Sequence, residues 1–104
     1  MATYLLAYRG GGMAETEAAQ QAAMAAWGAW FGQLGAAVVD GGNPFGPSAT
    51  VGGNGKSGDG APSGLTGYSV ITAADLKAAS AMAKGCPVIA DGGNVDVYEI
   101  MPVM

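Results

Sequence analysis

The sequence predicts an α+β domain of the ferredoxin-like, split βαβ type, an antiparallel sheet carrying two helices on one face. Three observations carry this prediction. Residues 67–87 read as a strand running straight into a capped helix with a clean stop. Residues 3–34 read as an earlier copy of the same plan. Residues 94–101 alternate in polarity with period two and supply a closing strand. The order becomes β-α-β-(β)-β-α-β within a single domain, residues 1–104.

The first strand is Thr3–Tyr8. Tyr4, Leu6 and Tyr8 share one face and Leu5 and Ala7 the other, so both faces are apolar. The chain's own helices can cover one face; the other calls for a second cover. Gly10–Gly12 breaks the strand. Met13–Leu34 follows as a long helix, with Glu15 and Glu17 near its positive end. Its apolar stripe is Met24, Trp27, Phe31 and Leu34, with Trp30 one step aside. Gly28 and Gly32 each cost about 1 kcal/mol against Ala in a helix, which suggests a close backbone approach or room for the indoles. Gly35 is the expected stop, and Ala36–Asp40 the second strand.

Residues 41–47 are irregular, with two prolines and three glycines. Ser48–Val51 is expected as a short strand pairing on a neighbour. Gly52–Gly64 holds six glycines and reads as a mobile hairpin tip around Asn54-Gly55. Tyr68–Thr72 is the next strand. Thr72 is the expected N-cap, with Asp75 reaching back in a shortened capping box. Leu76, Ala79 and Ala83 form one narrow face, Lys84 lies in the last turn, Gly85 suits a left-handed cap, and Pro87 blocks continuation. Such a small-residue face must lie close to whatever it covers. Val88–Gly93 reads as a connector with a short extended start, and Asn94–Met101 as an edge strand ending before Pro102.

Half of the 104 residues are hydrophobic and 12% are charged, a charged fraction about half the usual 25%. So little charge, together with apolar residues on both faces of the first strand, predicts a homodimer in which two sheets meet. The net charge is −4, and Arg9, Lys56, Lys77 and Lys84 form no cluster. Nucleic acid and anionic membrane surfaces are therefore not expected as partners. No signal peptide and no membrane-length apolar run is visible, and the single Cys86 permits no internal disulfide, so a cytoplasmic location is expected.

The chain has no histidine, which removes the serine triad, the imidazole base and the commonest metal ligand. One cysteine excludes cysteine-rich zinc sites. Asp40, Asp91, Asp96 and Glu99 would hold a hard cation only if the fold gathered them, so no metal and no cofactor is expected. Cys86, just past a helix C-terminus, reads as a buried structural thiol. Gly53–Ser57 contains Gly-Lys-Ser, but it lacks the upstream glycine and following helix of a phosphate loop.

Three groups of side chains are candidates for a site. Trp27 and Trp30 near Phe31 serve either as core packing or, for Trp30, as a pocket wall with its N–H free for a ligand. Asp40, beside Asn43, ends one strand and Arg9 ends another. If those strands are neighbours, the pair meets at a sheet rim, as a surface ion pair or as a polar anchor at a pocket mouth. Tyr4, Tyr68 and Tyr98, from three strands, are expected to converge on one face, as a structural network or a ligand-orienting one. Two functions stay open. One is a small-molecule pocket protein, or a proton-transfer enzyme with Asp40 as base. The other is a dimerisation or accessory domain without chemistry.

The chain also resembles the YCII-related family, close to its DGPF-domain branch. The resemblance rests on Tyr4-Leu-Leu-Ala-Tyr-Arg-Gly10, Trp27-x-x-Trp30 with Leu34-Gly35, and Ala37-Val-Val-Asp-Gly-Gly-Asn-Pro44. It continues through Gly64-Leu-Thr-Gly-Tyr-Ser-Val-Ile71, Cys86-Pro87 and Val95-Asp-Val-Tyr-Glu-Ile100. It implies a dimeric α+β barrel with a pocket between sheet and helix in each subunit. Two departures stand out. The Asp-Gly-Pro-Phe motif is absent, its loop reading Ser57-Gly-Asp-Gly-Ala-Pro-Ser-Gly64. The histidine of the family's proposed His–Asp dyad is also absent, so that mechanism does not carry over.

Overall fold

The computed structural model describes residues 1–11, 16–53, 55 and 57–103. Its strands are β1 (Ala2–Arg9), β2 (Val38–Asp40), β3 (Ala49–Val51), β4 (Ser57–Asp59), β5 (Leu65–Ala73) and β6 (Asn94–Ile100). Its helices are α1 (Glu17–Leu34), α2 (Leu76–Ala83) and α3 (Pro87–Ala90), and a 3-10 turn at Gly35–Ala37 leads into β2. The main sheet is antiparallel with order β2-β5-β1-β6, while β3 and β4 form a separate hairpin. Each βαβ unit is thus split by a strand of the other: β5 separates β1 from β2, and β1 separates β5 from β6. This is the expected α+β, ferredoxin-like plan.

The register sorts side chains onto two faces. Tyr4 faces Ile71, Leu6 faces Ser69 and Val97, and Tyr8 faces Gly67 and Val95 across the neighbouring strands. With Trp30, Ala79, Ala83, Cys86 and Val88 these line the core on the helix side. Leu5 lies opposite Val70 and Tyr98, Ala7 opposite Tyr68 and Asp96, and Thr3 opposite Ile100. Among the described residues that second face carries no helix. The chain forms a slab with extents of 44 × 40 × 19 Å.

Several local expectations are corrected. On α1 the buried residue is Trp30, 3% exposed, whereas Met24 is 74% exposed. The helix is rotated so that Trp30 packs inward. Among the described residues nothing comes within 4 Å of a Cβ placed at Gly28 or Gly32, so neither glycine makes room for one of them. Thr16 caps α1 by accepting the Ala19 N–H at 3.1 Å; Met13 and Glu15 lie outside the described residues. Ala36 and Ala37 form the 3-10 turn rather than extending β2.

The Ser48–Val51 segment supplies the short strand β3, which pairs with its sequence neighbour β4 apart from the main sheet. This produces the expected hairpin, whose Asn54 and Lys56 lie outside the described residues.

Thr72 is not the cap of α2. The β1–β5 ladder runs on through Thr3↔Thr72 and Ala2↔Ala73, so Thr72 is held in the sheet and Asp75 caps instead, accepting the Ala78 N–H at 2.8 Å. The helix therefore starts late and Leu76 is 51% exposed rather than buried. Gly85 has no positive φ; it is small because a Cβ there would stand 3.1 Å from Trp30 Cδ1. Pro87 does not stop the chain in extended form. It opens α3 at the first helical position, where its missing N–H costs nothing.

Candidate functional site

The space between sheet and α1 is filled by the protein's own side chains. Trp27 stands edge-on to Tyr8 at 5.1 Å and to Trp30 at 5.7 Å. Phe31 lies 5.1 Å from Trp30. The Trp30 N–H donates to the Met82 carbonyl at 3.1 Å, so it is not free for a ligand, and both indoles follow the core-packing alternative. The Tyr8 hydroxyl donates to Ser69 Oγ at 2.6 Å, and Ser69 donates in turn to the Gly41 carbonyl at 2.7 Å. This chain ties β1, β5 and the segment after β2 together under the helix. Ser69, fully buried, is a functional-looking polar residue that the sequence reading passed over; its signal is a serine on the inward phase of an apolar strand. Burial raises the Tyr8 phenol above its ordinary value, against the opposing pull of the Ser69 hydrogen bond. Among the described residues no buried side-chain nitrogen or oxygen lacks a partner, so this interior presents no orphan group asking for a ligand.

The tyrosines do not converge. Tyr4 is 1% exposed on the helix side, whereas Tyr68 and Tyr98 lie on the open face, opposite Ala7 and Leu5. Arg9 and Asp40 do not meet either, because β5 and β1 lie between β2 and β6 in the sheet order and β1 is not a neighbour of β2. Arg9 instead pairs with Asp96 across β1 and β6 at 2.9 Å. Both groups are partly exposed, and such a pair contributes little to stability.

Asp40 forms a different corner. One carboxylate oxygen accepts the Gly42 N–H at 2.8 Å and the other the Tyr68 hydroxyl at 3.3 Å. Phe45 stacks on Tyr68 with centroids 5.7 Å apart and planes at 17°. The Asn43 carbonyl accepts the Tyr68 N–H at 3.3 Å. Gly42 allows this close run, since a Cβ there would lie 1.7 Å from the Tyr68 carbonyl oxygen, at a φ of +74°. Asp40, Asn43 and Tyr68 are thereby brought together at one rim of the open face, with Phe45 as an aromatic platform.

Two hollows lie outside the filled interior. A groove of about 570 Å³ runs between α2, α3 and β6, lined by Leu76, Lys84, Ile89, Val95 and Tyr98 among others. A smaller one of about 290 Å³ lies by Phe45, Pro47, Ser48 and Leu65. Neither contains Trp27, Trp30 or Tyr4 in its lining. Cys86 is 2% exposed, and burial pushes its thiol up to about 11, the state of a packed rather than a reactive sulfur. Among the described residues no three His, Cys, Asp or Glu side chains gather as a metal site, and no helix is long and apolar enough to cross a membrane.

The model of the YCII-related domain matches residues 1–104. Comparison with curated proteins gives no match, and comparison with solved structures gives none.

Proposed function

The chain belongs to the YCII-related domain family over its whole length, and from that premise we propose that it works as a homodimerisation domain, two copies meeting through their open sheet faces. The observation that carries this is the uncovered apolar face itself. Leu5 and Val70, both half-buried, flank its centre, where Ala7 is already covered within the single chain, and Tyr98 and Ile100, 58% and 42% exposed, continue it toward β6. A slab 19 Å thick has one sheet layer and one helix layer only. Its radius of gyration is 15.1 Å, against about 13 Å for a compact chain of this length. A second sheet would convert the half-sandwich into a closed one and remove the apolar face from water. A free buried thiol is in keeping with a cytoplasmic, reducing environment.

A second reading adds a small ligand. The Asp40–Tyr68–Phe45 corner supports it: a carboxylate and a phenol beside an aromatic platform, at the margin of the joint between copies. Proton transfer by Asp40 draws no such support, since both its oxygens already accept hydrogen bonds and no imidazole stands near it.

Sedimentation velocity at micromolar concentration tests the joint. Val70→Lys places a cation at its centre, opposite Leu5, without touching the helix-side core. The expected outcome is a halving of the particle mass with an unchanged far-UV spectrum. A wild-type protein sedimenting as a single 10.2 kDa chain would refute the proposal.

A further inference from the structure

The two margins of the sheet are built differently. β2 is three residues long, and its pairing carries a register shift. β6 is seven residues long and pairs with β1 alone, in unbroken register from Arg9↔Asn94 to Thr3↔Ile100. Among the described residues its outward backbone edge therefore has no strand beside it. The devices that guard an exposed edge are Lys, Pro, bulges, shortness and inward charge. Residues 94–100 contain no Lys and no Pro, the charge of Asp96 is tied to Arg9, and the one inward charge is Glu99, exposed near the end of the strand. Beside this edge lies the groove of about 570 Å³, with Leu76, Ile89, Val95 and Val97 as its apolar lining and Lys84 and the Arg9-paired Asp96 as its charged groups.

We infer that the β6 edge is a second self-association surface, on which β6 of another copy pairs antiparallel about a two-fold axis at Val97. The sequence is self-complementary in that register. Val97 meets Val97, Val95 meets Glu99, Asp96 meets Tyr98, and Asn94 meets Ile100, so no acid lies opposite an acid. Val95, Val97 and Glu99 share the helix-facing side of the strand, and the two valines line the groove. The second copy's Glu99 therefore arrives over Val95, in the groove that Lys84 lines, and the two-fold axis makes that complementary contact twice. The added strand satisfies the main chain of β6 and roofs the apolar lining beneath it. This joint uses the backbone edge of β6 and not the open face, and with its two-fold axis perpendicular to that of the face-to-face joint the two close into a four-chain particle.

A charge exchange tests it, because Lys84 and Glu99 are both exposed and neither lies on the open face. In sedimentation velocity, Glu99→Lys should halve the wild-type mass, and the double variant Lys84→Glu/Glu99→Lys should restore it. Val70→Lys should leave a two-chain particle that Glu99→Lys then splits into single chains. The inference is overturned if Glu99→Lys keeps the wild-type mass, or if the double variant fails to recover it. Failure of the face-to-face joint looks different: Val70→Lys would then change nothing while Glu99→Lys still halves the mass.

Discussion

Gly42 sets the path of the chain from β2 to the Asp40 corner, and its replacement by alanine gives the sharpest stability prediction. Two costs add. Forcing a non-glycine residue to a φ of +74° costs about 1–2 kcal/mol. A Cβ placed 1.7 Å from the Tyr68 carbonyl oxygen and 2.6 Å from its carbon meets backbone held in the β1–β5 ladder, which cannot swing aside as a side chain can. Overpacking of that kind costs about 1–3 kcal/mol or more. The control is Gly60→Ala, at a φ of +77° with nothing within 4 Å, which carries the first cost alone. Urea unfolding at matched protein concentration should therefore place Gly42→Ala about 2–5 kcal/mol below wild type and Gly60→Ala about 1–2 kcal/mol below it. Equal losses in the two variants would show that the 40–44 segment does not lie against β5 as described.

The capping assignment separates two neighbouring residues. Asp75→Ala should cost about 1 kcal/mol through the lost Ala78 hydrogen bond. Thr72→Val should cost clearly less, since the Thr72 hydroxyl reaches only the Ala37 carbonyl at 3.5 Å. Both are read from urea midpoints. The Cys86 thiol has a folded pKa of about 11 against an ordinary 9.0. The unfolded chain therefore loses that proton first, and stability should be level below about pH 9 and fall as pH rises toward 11. Cys86→Ala should show a shallower fall from a lower starting stability in pH-dependent denaturation.

What could be read from the residues follows the range of the forces involved. The strand phases were legible because Tyr4, Leu6 and Tyr8 alternate with Leu5 and Ala7, and period two is a local property. The plan of the sheet was legible from the order of its elements. The rotation of α1 was not, because Trp30 is chosen as the inward residue by a carbonyl at Met82, 52 positions away. Thr72 and Asp75 both suit an N-cap, and only the length of the β1–β5 ladder decides between them. The candidate pair Arg9 and Asp40 was drawn from strand ends, but which ends meet depends on sheet order, so each found another partner. Tyr68 and Asp40 came together through Gly42, whose requirement for a bare α-carbon shows only once Tyr68 is behind it.

The first half of α1 gives its alanines a meaning other than close packing. From Glu17 to Ala26 only Ala23 is even partly covered, so these turns gain little from tertiary burial. Alanine loses no rotamer freedom on becoming helical and has the highest intrinsic propensity. That stretch is a self-propped rod, ordered by the backbone's own preference and by the Thr16 cap, and held to the molecule at its far end by Trp27, Trp30, Phe31 and Leu34. Fraying should accordingly begin at Glu17 and stall at Trp27, and replacing one of the rod's exposed alanines is felt as helix propensity.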